Sequence, residues 1–174
     1  MIYDKLEENI RKIIAYSKYL NMNINLDSPG HRFRLQKLAF LLKSMGIDLD
    51  YEFTLYLYGV YSNSLYNDSF HYKKEFIEMD SDYKINEKER MILDRLKENF
   101  PDNNNILEAA TTIIFYNFVY SDINEIIKKI KEIKPHLSDN DIMSGINLAK
   151  KLLFKKEYLT DEIKQELEAW DSFD

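Results

Sequence analysis

The stretch ILEAATTIIFYNFVY, residues 106–120, constrains the fold more than any other part of the chain. It is apolar on nearly every side, which is the composition of a helix enclosed by protein. Its longest apolar run, Ala109 to Tyr120, covers twelve residues and is too short to span a bilayer. Such a helix needs amphipathic partners, and the sequence supplies them. Leu6, Ile10, Ile13 and Ile14 recur at helical spacing and predict a first helix ending near Leu20. In HRFRLQKLAFLLKSMG, Leu35, Leu38, Leu42 and Met45 form a second stripe, with Gly46 as the stop. Asn86 and Glu89 have the spacing of a capping box ahead of Met91, Leu93 and Leu96, and Pro101 ends that helix. Ser121 is expected to cap a helix lined by Ile123, Ile126, Ile127, Ile130 and Ile133, and Pro135 closes it. Ser138 precedes Ile142, Ile146, Ala149 and Leu153, and Thr160 opens a last acidic helix carrying Ile163, Leu167 and Trp170 on one side.

One stretch breaks the helical period. In YEFTLYLYGVYSNSLYND, Tyr51, Phe53, Leu55 and Leu57 alternate with Glu52, Thr54, Tyr56 and Tyr58, the period of two that predicts a strand with one buried face, ended by Gly59. Ser62 or Ser64 then caps a short helix through Leu65, Tyr66 and Phe70. FIEMDSDYKI, residues 76–85, reads as a second small hairpin. The expected fold is therefore mainly α: one compact globular domain over residues 1–174, with six or seven helices and a minor β element. If the 76–85 hairpin serves as a wing, the arrangement becomes winged-helix-like.

Composition excludes several classes. Hydrophobic residues at 45% and charged residues at 31% describe a folding globular chain. The first twenty residues carry Asp4, Lys5, Glu7, Glu8, Arg11 and Lys12 and so lack the uncharged centre of a signal peptide, which points to a cytoplasmic protein with no membrane association. The absence of cysteine removes disulfides, thiolate metal sites and a cysteine nucleophile. The net charge of −6 argues against wrapping a long phosphate backbone.

Charge is nonetheless uneven. Residues 31–45 hold Arg32, Arg34, Lys37 and Lys43 with no acid, whereas residues 46–80 hold seven acids and two lysines. The four cations are the candidate contacts to nucleic acid, and Lys150, Lys151, Lys155 and Lys156 form a second basic cluster. No catalytic grouping emerges. His31, His71 and His136 match no zinc spacing, and the four glycines, at 30, 46, 59 and 145, form no phosphate loop or nucleophile elbow. The carboxylate pairs are ordinary solvated neighbours. No catalytic residue, metal ligand or cofactor is assigned.

Tyrosines carry the remaining signal. Five occur between Tyr51 and Asp68. Tyr51 at strand spacing reads as core, while Tyr56 and Tyr58 fall on the opposite strand face and Tyr61 follows the turn glycine. A tyrosine offers a rigid apolar body with a hydrogen-bonding tip, the chemistry of protein recognition. RLQKLAFLL, then YEFTLYLYGVYSNSLYND, then KIKEIKPHLSDNDI, in that order over roughly residues 31–155, resemble the YwgA-like proteins and their relatives in the Panacea (SocA-type) antitoxin superfamily. The corresponding positions are Arg34 to Leu42, Tyr58 to Ser62, and Lys134 to Ile142. Val60 departs from the family pattern, which has proline there; without it the turn is looser or held by packing. The resemblance implies a helical domain without catalytic activity that neutralises a partner protein, such as a toxin, by binding it. The expected partner surface comprises Tyr56, Tyr58, Gly59, Tyr61, Ser62 and Trp170. The alternative is a nucleic-acid-binding regulator that uses Arg32, Arg34, Lys37 and Lys43.

Overall fold

The computed structural model describes residues 2–153 together with Gln165 and Ala169, with side chains from Glu7 onward. The expected last helix, with Thr160, Ile163, Leu167 and Trp170, lies outside the described residues. The chain divides into two compact units, Met1–Glu98 and Asn99–Asp174. Eight helices and one two-stranded hairpin occur among the described residues, so the chain is mainly α with a minor β element. No helix among them is long and apolar enough to cross a membrane.

The first unit begins with α1 (Ile2–Tyr19), which buries Ile10, Ile13 and Ile14 as its spacing predicts. The next helix, α2 (Pro29–Ser44), starts on the Ser28 side chain and on Pro29, whose fixed φ suits the first turn. It is enclosed on all sides from Leu35 to Leu42, polar residues included. The hairpin β1 (Thr54–Tyr56) and β2 (Gly59–Tyr61) packs on α2 through β2, and α3 (Asn63–His71) follows with Ser62 as its N-cap. A short α4 (Lys73–Glu78) comes next, and α5 (Glu87–Asn99) is set by the Asn86–Glu89 capping box, with both reciprocal bonds formed.

In the first turn of α5, the Glu89 carboxylate is buried. It accepts hydroxyls from Tyr16 at 2.9 Å and Tyr83 at 2.7 Å, and the Asn86 backbone N–H on its second oxygen. Burial, and then this bond, raises the Tyr16 hydroxyl far above its ordinary value; the same causes push Tyr83 up to about 12.

Two expectations in this unit are corrected. The predicted Tyr51–Tyr58 strand is strand only from Thr54 to Tyr56, and Gly59 starts β2 instead of ending the element. Leu57, assigned by alternation to the buried face, sits in the turn and is 75% exposed. The 76–85 hairpin does not form. Phe76 is buried on α4, Met79 closes that helix in the left-handed region at φ 49°, and the N–H groups of Met79 and Asp80 bond back to Phe76 and Glu75. Those donors are consumed by the helix end, and no wing is built. The segment after them is tied to α1 instead, through Ser81 Oγ to the Arg11 carbonyl and through the Arg11–Asp82 pair.

The second unit is built on α6 (Asn104–Asn117), buried continuously from Leu107 to Ile114 as its composition requires. Against it pack α7 (Ile123–Ile133) and α8 (Asp139–Leu153). Gly145 makes the α6/α8 approach close: a β-carbon there would meet Ala109 Cβ at 2.7 Å and Ala110 N at 2.9 Å. Asp122, one residue past the expected Ser121, caps α7, since its carboxylate reaches the Asn124 N–H. Ser138 and Asp141 form a reciprocal capping pair at the start of α8.

Candidate functional site: an aromatic ladder on a pinned hairpin

The hairpin turns on Leu57 and Tyr58, with Tyr56 paired to Gly59, Leu55 to Val60 and Thr54 to Tyr61. Neither turn residue adopts a positive φ; that conformation falls on Gly59, at φ 91°, where the absence of a β-carbon makes it cheap. Alternation puts Thr54, Tyr56 and Tyr61 on one face and Leu55 and Val60 on the other. Val60 is fully buried.

Polar side chains from α2 hold β2 from behind. Lys37, 2% exposed, donates from Nζ to the Tyr58 carbonyl at 2.6 Å and the Val60 carbonyl at 2.8 Å, and lies 4.4 Å from the centre of the Phe33 ring. Gln36, also buried, gives its amide N–H to the Ser62 carbonyl and takes the Ser62 N–H on its oxygen. Ser62 Oγ then accepts the Leu65 N–H and opens α3.

The base of the hairpin is fixed too. Lys43 Nζ donates to the Tyr51 carbonyl at 2.5 Å, and the buried Tyr51 hydroxyl donates to Asp68 Oδ2 at 3.0 Å. Burial raises both groups, Tyr51 steeply; at Asp68 the Tyr51 bond and the nearby His71 charge oppose it.

What this frame presents is aromatic. Tyr56, Leu57 and Tyr58 at the tip are 60%, 75% and 69% exposed. Tyr56 meets Tyr61 edge-on with ring centres 5.2 Å apart, Tyr61 meets Tyr66 at 6.1 Å, and Tyr66 meets Phe70 at 4.8 Å. The four rings form a ladder from the solvent face of the hairpin onto α3. Burial raises the Tyr61 hydroxyl, as do the neighbouring Tyr66 and Tyr56, so its phenol remains a neutral donor. The surface can therefore do what neutral aromatics do: bury apolar area, offer hydroxyls for hydrogen bonds and face cations.

Of the residues singled out from sequence, Tyr56, Tyr58, Gly59, Tyr61 and Ser62 come together here, while Trp170 lies outside the described residues. Tyr66, Phe70 and Leu57 belong to the same surface and were not assigned to it. Tyr66 and Phe70 stand four apart on the helix that Ser62 caps, a spacing that could have joined them to the ladder. The basic residues of α2 do not assemble into a face. Lys37 is turned inward, Lys43 holds the Tyr51 carbonyl, and Arg32 Nη1 donates to the Leu26 carbonyl at 2.7 Å. Arg34 is half-buried.

Two other polar groupings stand apart. In the second unit Glu108 and Lys134, both buried, pair at 2.9 Å, and His136 Nε2 approaches the other Glu108 oxygen at 3.0 Å from a more exposed position. In the first unit an open depression of about 370 Å³ is rimmed by Glu7, Arg11, Tyr72, Glu75, Asp80 and Asp82, with Arg11 already paired to Asp82. Among the described residues no group of three His, Asp or Glu side chains is placed to hold a metal ion. Compared with family models, curated proteins and solved structures, the chain matches none.

Proposed function

We propose that this chain is a non-catalytic, cytoplasmic protein-binding domain, antitoxin-like in action, which neutralises or scaffolds a partner protein through the ladder and tip Tyr56–Tyr58. One observation carries the reading: three consecutive large apolar side chains stand in solvent on a turn whose backbone is held by buried side chains. Exposed apolar groups cost solubility, and holding them rigid adds conformational cost, so a fold that does both is organised for a contact. Tyrosine is enriched among the few residues that carry most of the binding energy at protein interfaces. The antitoxin character rests on the resemblance of the three sequence segments to the Panacea superfamily.

The test is capture of the tagged chain from its native lysate, with nuclease present, as the parent and as Tyr56→Ala and Tyr58→Ala. Because these side chains are exposed, both variants should keep the parent's helical circular dichroism. Each is expected to lose the principal protein partner at least tenfold. Retention of that partner at the parent's level by both variants would refute the reading.

A further inference from the structure

We infer that the partner segment lying on the ladder is an extended, basic stretch of polypeptide that adds to β1 as a third strand, an inference that rests on the protein-binding reading. The two-residue turn makes Tyr56–Gly59 and Thr54–Tyr61 the pairs that exchange backbone hydrogen bonds, so Leu55 and Val60 direct their N–H and C=O groups outward.

The two outer edges then differ. On the β2 side, Lys37 takes the Val60 carbonyl, and Gln36 takes both backbone groups of Ser62. On the β1 side, the outward N–H and C=O of Leu55 have no hydrogen-bond partner among the described residues. The β2 edge is turned onto α2, with the Val60 carbonyl and both backbone groups of Ser62 taken, whereas the β1 edge is a template for an incoming strand. Proteins commonly blunt open edges with lysine or proline, yet residues 46–62 contain no lysine, arginine, histidine or proline.

Charge and aromaticity specify the occupant. Asp48, Asp50 and Glu52 are exposed on the approach to β1. A strand laid along β1 would put alternate side chains on the face of Tyr56 and Tyr61, where a guanidinium or ammonium meets aromatic rings and faces those acids. Edge-to-edge pairing with a second copy would oppose the same three acids. β1 has only three residues and a single outward pair, so main-chain bonding sets the register while side chains supply most of the affinity.

The probe is a capped peptide of alternating arginine and valine, titrated into the 15N-labelled full chain. It is accompanied by a glutamate-for-arginine version and by two N-methylated versions, one methylated at every arginine and the other at every valine. Successive N–H groups of a strand point to opposite sides, so only one methylation pattern should interfere. Expected are shifts at Leu55, Tyr56 and Tyr61, slower exchange of the Leu55 amide, no binding of the acidic peptide, and a loss on the order of tenfold for one methylated version alone. No binding by the basic peptide at millimolar concentration, or shifts confined to other elements, overturns the proposal. So do concentration-dependent shifts at Leu55 without peptide, which would identify a second copy as the occupant. Equal binding by both methylated versions also overturns it, while leaving the protein-binding reading intact; that reading fails separately, in the lysate capture with Tyr56→Ala and Tyr58→Ala.

Discussion

Lys37→Met isolates the ammonium group that holds the hairpin. Methionine keeps most of the stem length and the apolar contacts but removes the donor to the Tyr58 and Val60 carbonyls and the cation 4.4 Å from the Phe33 ring. Two charge-assisted hydrogen bonds stabilise by about 1.5–3 kcal/mol each. Against them stands the cost of keeping an ammonium out of water, which is several kcal/mol. These terms largely offset each other, and the asymmetry of what is left behind decides the outcome. Tyr58 is exposed, and its carbonyl can turn to water, whereas Val60 is fully buried and its carbonyl is stranded. One buried unsatisfied acceptor costs about 1–3 kcal/mol, so the expected loss is about 2 kcal/mol and local to the hairpin.

The assay is native-state hydrogen exchange at the Tyr61 amide, which the register directs at β1, alongside urea unfolding of the whole chain. A loss of about 2 kcal/mol corresponds to about thirtyfold less protection. Protection within threefold of the parent would refute the reasoning. It would mean that desolvation of the ammonium cancels its bonds, and that Gln36 and the buried Val60 side chain hold the turn by themselves.

Two further outcomes follow from buried geometry. Gly145→Ala should lower the melting temperature of the second unit by about 10 °C, because the added methyl meets α6 backbone at 2.9 Å and forces the helices apart, a loss of about 2 kcal/mol after alanine's helix preference is allowed for. An unchanged or higher melting temperature, followed by calorimetry, would show that propensity outweighs the clash. At alkaline pH, tyrosines in the unfolded chain ionise near 10, while Tyr83 is held up to about 12 and Tyr16 and Tyr51 higher still. The native state then retains protons that the unfolded state releases. The contribution of these three tyrosines to stability is constant below about pH 10 and falls as pH rises from there toward 12 and beyond. Tyrosinate absorbance near 295 nm should therefore show a late fraction that titrates only as circular dichroism is lost; thirteen tyrosines titrating together near pH 10 with the helical signal intact would refute this.

The helices were legible because one-sided apolar spacing and end signals agree in them. Ile10, Ile13 and Ile14 all turn inward, the Asn86–Glu89 and Ser138–Asp141 capping pairs form, and the uniformly apolar stretch before Asn117 is the enclosed α6. Errors arose where tertiary bonding outweighed local pattern. Alternation through Tyr58 suggested a long strand, yet Leu57 and Tyr58 are turn residues because Gly59 supplies the positive φ that lets the chain reverse. Phe76 and Ile77 suggested a strand, but only Phe76 finds a core position, and one helical turn is enough to bury it. At the candidate site, strand alternation anticipates the exposure of Tyr56, whereas Tyr58 and Leu57 are exposed because they stand in the turn. The inward turn of Lys37 and Gln36 could not be anticipated, since nothing in a helical pattern says that a polar residue will find backbone groups of a distant segment to satisfy it.

Position 60 shows how the frame holds a turn that carries valine in place of a backbone-fixing proline. Proline there would fix one backbone angle and remove an N–H. Val60 lies opposite Leu55 in a pair whose backbone groups point outward, so proline at this position would delete no bond of the hairpin ladder. Valine retains a fully buried side chain on the core face, and Lys37 grips the carbonyls at 58 and 60, on the turn side of Val60 and at Val60 itself. The rigidity that a proline ring would give through φ is supplied instead by an ammonium from α2, a neighbour 23 residues away in sequence. The turn is therefore no looser for lacking proline, and the conformational cost of holding Tyr56, Leu57 and Tyr58 in place is met when the chain folds, before any partner arrives.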